Sequence, residues 1–143
     1  MLYTPLTKKA MRLSFTAHRD QTDKGGLPYV YHPFHLAEQM TDEYSICVAL
    51  LHDVVEDTDM TWEELESAGF PDEVTEALRC ITYTGDRPYL EYIRQLRHNE
   101  IARKVKLADL RHNSDLTRLD KVDEAAKARL ARYRKAEEIL REL

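Results

Sequence analysis

The chain has 143 residues, of which 43% are hydrophobic and 33% charged, and its formal net charge is -5 at pH 7. This length allows one domain with a sizeable core, so we predict a single domain over residues 1–143. The negative net charge argues against a nucleic-acid-binding surface, which would need many basic side chains to neutralise phosphates. With only 4 Gly and 5 Pro, the composition is typical of an all-α protein.

The sequence shows no pattern of a secreted or membrane protein. Residues 1–9 lack the long apolar region of a signal peptide, and no stretch approaches about 18 consecutive apolar residues. The two cysteines, Cys47 and Cys80, do not form a CxxC pair. We therefore expect a cytoplasmic protein with free thiols and no membrane partner.

Hydrophobic periodicity predicts about seven to eight helices joined by short turns. Polar residues that can cap a helix start occur at Asp42, Thr61 and Asn99. Pro33 suits the first turn of the second helix, which places His32 at the start of that helix. The predicted helices span about 7–18, 33–41, 43–58, 62–68, 71–81, 89–97, 100–113 and 122–143.

The chemically densest stretch is residues 49–58, where an apolar run is followed by His52, Asp53, Glu56 and Asp57. On one continuous helix all four side chains would face a single cavity. Imidazole nitrogens and carboxylate oxygens together suit a first-row divalent cation. The two further carboxylates could orient or deprotonate a water molecule.

A lone His-Asp pair after an apolar run is more often a core histidine bonded to a neighbour. Two other residues favour a site. His32 lies at a helix start upstream, and Asp109 lies inside the apolar helix 105–113. A buried acid without a partner costs several kcal/mol, so we expect a cation or a basic side chain beside Asp109.

Three ordered segments together resemble the HD-domain hydrolases, and more closely the hydrolase domain of the RelA/SpoT family. That family includes small single-domain members that remove pyrophosphate from the alarmone ppGpp. The resemblance rests on Ala17-His18 with Gln21, Lys24, Gly26, Pro28-Tyr29 and His32-Pro33, on residues 49–58, and on residues 105–109 followed by Asn113. It covers nearly the whole chain and implies a compact all-α HD-type domain.

The resemblance also implies a role for individual residues. The metal ligands would be His32, His52, Asp53 and Asp109, usually for Mn²⁺ in this family. Glu56 and Asp57 would be the catalytic acids beside the attacking water. The substrate-binding residues would be Lys24, Thr82, Asn113, Arg129 and Tyr133. Arg87 is a further phosphate candidate from its position and charge alone, and a solvated surface charge explains Lys24, Arg87 and Arg129 equally well.

The implied activity is metal-dependent removal of the 3′-pyrophosphate of (p)ppGpp or of a related purine alarmone. One departure bears on the substrate: Asp23 stands where ppGpp hydrolases have an arginine that stacks on guanine, and a carboxylate offers no such cation face. Two alternatives therefore stay open. One is a phosphohydrolase with another substrate, such as NADPH or a different nucleotide, and the other is a catalytically weak nucleotide-binding protein.

Overall fold

The computed structural model describes residues 1–142, which form nine α-helices and one short 3-10 helix. Within those residues the only β-structure is an isolated bridge between Thr22 and Pro28, so the all-α prediction is confirmed. Leu143, the predicted end of the last helix, lies outside the described residues. The helices are α1 Pro5–His18, α2 Tyr31–Glu38, α3 Glu43–Leu51, α4 Val54–Asp57, α5 Trp62–Ser67, α6 Asp72–Ile81, α7 Tyr89–Leu96, α8 Glu100–Asn113 and α9 Glu124–Arg141, with the 3-10 helix at Leu116–Arg118.

The predicted polar caps are present at three helix starts. The side chain of Asp42 accepts a hydrogen bond from the amide of Ser45 at 3.0 Å. Thr61 and Asn99 cap α5 and α8 in the same way. Each cap satisfies an amide that has no partner within its own helix, which is worth about 1 kcal/mol.

The prediction of one continuous helix over 43–58 is wrong, because α3 ends at Leu51 and α4 begins at Val54, and the backbone leaves helical geometry at Asp53. The imidazole Nδ1 of His52 donates to the carbonyl of Ala49 at 2.7 Å. That carbonyl is the acceptor that the amide of Asp53 would use in a continuing helix. Asp53 takes φ -107° and ψ -1°, outside the α region. His52 and Asp53 therefore lie at a junction between α3 and α4.

α3 is the central helix of the fold. All residues from 45 to 51 are buried, and α3 packs against α1, α2, α6 and α8. A helix surrounded on every side needs no polar face, which explains its unbroken apolar sequence. α2 and α8 also pack against each other. The helices that contain His32 and Asp109 and the helix that His52 directly follows are therefore mutual neighbours. No helix in residues 1–142 has both the length and the apolar character needed to cross a membrane.

Candidate active site

Two imidazoles and one carboxylate converge in the interior, from α2, from α8 and from the residue that follows α3. His32, His52 and Asp109 are all buried, and one ligand atom from each lies within 4.8 Å of the others. Nε2 of His32 lies 2.8 Å from Oδ1 of Asp109, and Nε2 of His52 lies 3.4 Å from the same oxygen. These are the atoms that would face a common metal ion.

Asp53 lies at the edge of this group. Its Oδ2 is 2.9 Å from Nε2 of His52 and 3.9 Å from Nε2 of His32. The hydroxyl of Tyr29 donates a hydrogen bond to the same oxygen, so the carboxylate is oriented from its outer side. The structure thus groups His32, His52 and Asp109 and places Asp53, the fourth proposed ligand, beside His52.

The donor set fits a divalent cation. Because Nδ1 of His52 donates to the carbonyl of Ala49, the lone pair of a neutral His52 is on Nε2, which is buried and has no hydrogen-bond partner. Burial alone would lower the pKa of His52, but Asp53 and Asp109 raise it well above its usual value. A proton or a cation must therefore lie between this nitrogen and the carboxylates. Mixed imidazole and carboxylate ligands suit Mn²⁺, Fe²⁺ or Zn²⁺.

The carboxylate of Asp109 is held by two neighbours on its own helix. Nζ of Lys106 lies 2.9 Å from Oδ2, and the amide of Asn113 donates to Oδ1 at 3.0 Å. Burial alone would raise the pKa of Asp109, but Lys106 and the two imidazoles hold it well below its usual value. Asp109 is therefore charged, and Lys106 is the basic neighbour that the sequence analysis expected beside it.

Glu56 and Asp57 open onto the adjoining cavity. Burial against the surrounding protein, and then the charges of Asp53 and Asp57, raises the pKa of Glu56 to about 7. Burial and the charge of Asp53 also raise the pKa of Asp57. A carboxyl group that titrates near neutral pH is suited to transfer protons to and from a substrate or a water molecule.

The cavity beside the cluster has a volume of about 790 Å³. Of the proposed substrate contacts, its lining includes Lys24, Asn113, Arg129 and Tyr133. Burial, and then the charges of Arg129 and Arg132, lowers the pKa of Lys24. Three cations thus lie close together on a cavity that Asp53 and Asp109 also line.

Thr82 and Arg87 do not line this cavity. Thr82 is buried and its hydroxyl donates to the carbonyl of Leu78 at 2.8 Å, at the end of α6. Arg87 forms an ion pair with Asp86 at 2.6 Å. The structure therefore gives both side chains other partners, and a substrate contact by either one has no support from the geometry.

Asp23 serves the structure of the loop that follows α1. Its Oδ1 accepts hydrogen bonds from the amides of Gly25 and Leu27 at 2.9 and 3.0 Å. Its Oδ2 lies 3.4 Å from Nη2 of Arg118. The guanidinium balances the carboxylate charge, so repulsion of a substrate phosphate by Asp23 is offset within the cavity wall.

Several residues that line the cavity had no predicted role, including Lys106, Arg118 and Arg132. Helical spacing was an available signal for two of them. Lys106 precedes Asp109 by three positions and Arg132 follows Arg129 by three, which places each pair on one helix face. Arg118 had no such signal, because it belongs to the short 3-10 helix and its position depends on how that segment meets the loop after α1.

His112 was also given no role, although its ring lies against His32. Nδ1 of His112 is 2.7 Å from Nδ1 of His32, on the side of that ring away from Asp109. Burial, and then the charges of Arg118, His32 and His35, lowers the pKa of His112 to about 4.

Comparison with known proteins defines the class. The sequence matches no protein-family model. It is 37% identical over 129 residues to the zebrafish (Danio rerio) guanosine-3′,5′-bis(diphosphate) 3′-pyrophosphohydrolase MESH1, covering 80% of this chain and 71% of that protein. It is 35% identical to a GTP pyrophosphokinase of Myxococcus xanthus, covering 88% of this chain but only 19% of that much longer protein.

A solved structure has the same fold. It is described as a metazoan ortholog of SpoT that hydrolyses ppGpp and plays a role in starvation responses, and it superposes with a TM-score of 0.78 at 27% identity, covering 99% of this chain and 89% of that one. The all-α fold, the His/Asp cluster and these similarities together identify an HD-type hydrolase. The chain belongs to the family of guanosine-3′,5′-bis(diphosphate) 3′-pyrophosphohydrolases.

Proposed function

We propose that this enzyme removes the 3′-pyrophosphate of ppGpp or of a close purine relative. The observation that carries the proposal is one cavity of about 790 Å³ that joins the His/Asp cluster to the cations Lys24, Arg129 and Arg132. The names of the similar proteins support the same substrate, since the zebrafish relative is a guanosine-3′,5′-bis(diphosphate) 3′-pyrophosphohydrolase.

The three cations suit a substrate with several phosphates. In residues 1–142 none of them forms an ion pair with a carboxylate, whereas Arg118 is paired with Asp23. Arginine can bind two phosphate oxygens at once through its planar guanidinium. Lys24, Arg129 and Arg132 would hold and neutralise the phosphates while the scissile group lies near Asp53 and Asp109.

The residues that would hold a divalent cation are His32, His52, Asp53 and Asp109, and we propose Mn²⁺ as that cation. When bound, it supplies Lewis-acid chemistry by polarising a phosphate oxygen and acidifying a water molecule. Tyr29 orients Asp53 through its hydrogen bond, and Asn113 orients Asp109.

Glu56 and Asp57 are the proton-handling groups of the proposed reaction. One of them takes a proton from the water as its oxygen attacks the phosphorus of the 3′-diphosphate. The bond between that phosphorus and the 3′-oxygen of the nucleotide breaks, pyrophosphate leaves, and the 3′-oxygen receives a proton. Lys24 and Arg129 stabilise the negative charge on the phosphoryl oxygens as it redistributes.

We further propose that the enzyme acts in the cytoplasm on a small nucleotide, with neither nucleic acid nor a membrane as partner. Both cysteines are free thiols, which suits a reducing compartment. The net charge of -5 and the grouping of Lys24, Arg129 and Arg132 on one cavity suit a small anionic ligand better than a nucleic-acid chain.

The activity is tested by incubating the purified protein with Mn²⁺ and a panel of ppGpp, ppApp, NADPH and deoxynucleotides. We expect release of pyrophosphate from ppGpp, detected by ion-exchange chromatography of the nucleotide product. No turnover of ppGpp together with turnover of NADPH or a deoxynucleotide would show a phosphohydrolase of different specificity.

A matched pair of variants tests the site itself. Asp53→Ala removes a proposed ligand, and we expect at least a hundredfold loss of turnover. Asp59→Ala removes an exposed carboxylate just beyond α4 and should leave turnover unchanged. Full activity of the Asp53 variant would contradict the metal-hydrolase mechanism.

A further inference from the structure

We propose that His112 is a positioning residue that accepts a hydrogen bond from Nδ1–H of His32 and so keeps Nε2 of His32 free to bind the metal ion. The inference rests on the metal site proposed above. It concerns a residue that would contact a metal ligand, not the metal ion itself. A metal-bound histidine usually donates its second ring N–H to an acceptor that fixes its tautomer and orientation.

Binding of a cation at Nε2 of His32 assigns the roles of the two rings. At 2.7 Å between the two Nδ1 atoms, one nitrogen must donate and the other accept. Nε2 of His32 faces Oδ1 of Asp109 at 2.8 Å and can bind a cation only if it carries no proton. A neutral His32 then has its proton on Nδ1, so Nδ1 of His112 must be the acceptor.

The surroundings of His112 hold its ring in this position. The ring is nearly parallel to that of His32, with an angle of 5° and centroids 5.0 Å apart. It also stacks on the ring of His35, with an angle of 28° and centroids 4.0 Å apart. Arg118 donates to the backbone carbonyl of His112 at 2.9 Å, which fixes the end of α8. The acceptor is therefore preorganised rather than supplied by a mobile side chain.

The two metal-facing histidines differ in a way that makes the proposal testable. His52 donates its Nδ1–H to a backbone carbonyl, that of Ala49, which no substitution removes. His32 depends on a side chain, which a substitution can remove. Loss of the acceptor should weaken metal binding through His32 alone.

Three variants separate the hydrogen bond from ring packing. His112→Phe keeps a stacked ring but removes the acceptor, and His112→Asn keeps an oxygen acceptor near the position of Nδ1. His35→Phe is the matched control, because His35 is exposed and stacks on His112 but forms no hydrogen bond to His32. Mn²⁺ affinity is measured at one pH from the electron paramagnetic resonance signal of the free ion.

We expect His112→Phe to weaken Mn²⁺ binding by about 10- to 100-fold, His112→Asn to recover most of that loss, and His35→Phe to bind as the wild type does. Wild-type affinity in His112→Phe would overturn the inference and leave the proposed metal site intact. A wild-type protein that binds no Mn²⁺ would overturn both.

If His112→Phe does not fold, nitrogen-15 NMR of the wild-type protein loaded with diamagnetic Zn²⁺ still decides the question. We expect a proton on Nδ1 of His32, none on Nδ1 of His112, and a scalar coupling between the two nitrogens. A proton on Nδ1 of His112 would overturn the inference, because it would make His32 the acceptor.

Discussion

Lys106 is a largely buried cation that balances the negative charge of Asp109. Its side chain is 13% exposed, its ammonium lies 2.9 Å from Oδ2 of Asp109, and it also lies over the rings of Tyr89 and Tyr92. Removing one partner of a buried ion pair leaves the other charge uncompensated, which costs far more than the pair itself contributes. Lys104, two positions earlier on the same helix, forms an exposed pair with Asp42 at 2.7 Å.

This contrast gives the first prediction. Lys106→Met should lower the free energy of unfolding by about 3–5 kcal/mol, while Lys104→Met should lower it by at most about 1 kcal/mol. Urea unfolding in EDTA, followed by circular dichroism, measures both. Equal losses in the two variants would show that Asp109 does not depend on Lys106.

The raised pKa of Glu56, about 7, gives a pH-dependent prediction. A carboxyl group whose pKa is raised in the folded protein lowers the free energy of unfolding at any pH above its unfolded pKa of about 4.5. This loss of stability grows as the pH rises to about 7. Glu56→Gln should therefore raise the Tm of EDTA-treated protein at pH 8 and have little effect at pH 4.5. The gain should be modest, because solvent reaches Glu56 through the cavity. A Tm difference between Glu56→Gln and the wild type that is the same at both pH values would contradict this prediction.

At the level of the helices, the sequence was informative where local chemistry decides the structure. Asp42, Thr61 and Asn99 cap the helices they were predicted to start, because a polar side chain there meets amides with no other partner. The break between α3 and α4 was not predicted, because hydrophobic periodicity carries no information about a side-chain hydrogen bond such as that from His52 to the carbonyl of Ala49. That bond moves His52 and Asp53 from a helical face to a junction.

The meeting of two loops beside the cavity gives a prediction about Gly25. A Cβ added there would overlap the backbone carbonyl of Arg118, whereas one added at Gly26 would meet open space but would face a φ of +84°. Gly25→Ala should cost about 1–3 kcal/mol and displace residues 115–119. Gly26→Ala should cost about 1–2 kcal/mol through backbone strain within its own loop.

Amide chemical shifts distinguish the two loop variants. Shift changes at 115–119 in Gly25→Ala, but not in Gly26→Ala, are the expected result. Unchanged shifts at 115–119 in both would mean that the two loops are not in close contact. Because Arg118 also holds Asp23 and the end of α8, the Gly25 variant should bind substrate more weakly as well.

At the scale of the whole molecule, the sequence alone does not predict which residues that are far apart along the chain come together in the fold. His32, His52 and Asp109 are 20 and 57 positions apart in turn, and only resemblance to a family placed them in one site. Cavity residues such as Arg118 depend on the packing of loops that have no periodic pattern. Residues on the same helix as a predicted ligand, such as Lys106 and Asn113, were within reach of spacing alone.

Because α2, α3 and α8 pack together and the ligands lie in α2, in α8 and directly after α3, a metal ion bound there should stabilise the whole fold. A ligand that binds only the folded state adds about 2.7 kcal/mol at a free concentration of a hundred times Kd. For a chain of this length that corresponds to a rise in Tm of roughly 5–10 °C.

Mn²⁺ titrated into EDTA-treated protein should produce this rise in the wild type. It should produce none in His52→Asn, while His98→Asn, an exposed histidine after α7, should respond as the wild type does. An equal rise in all three proteins would place the stabilising ion elsewhere, since only His52 belongs to the cluster that joins the three helices.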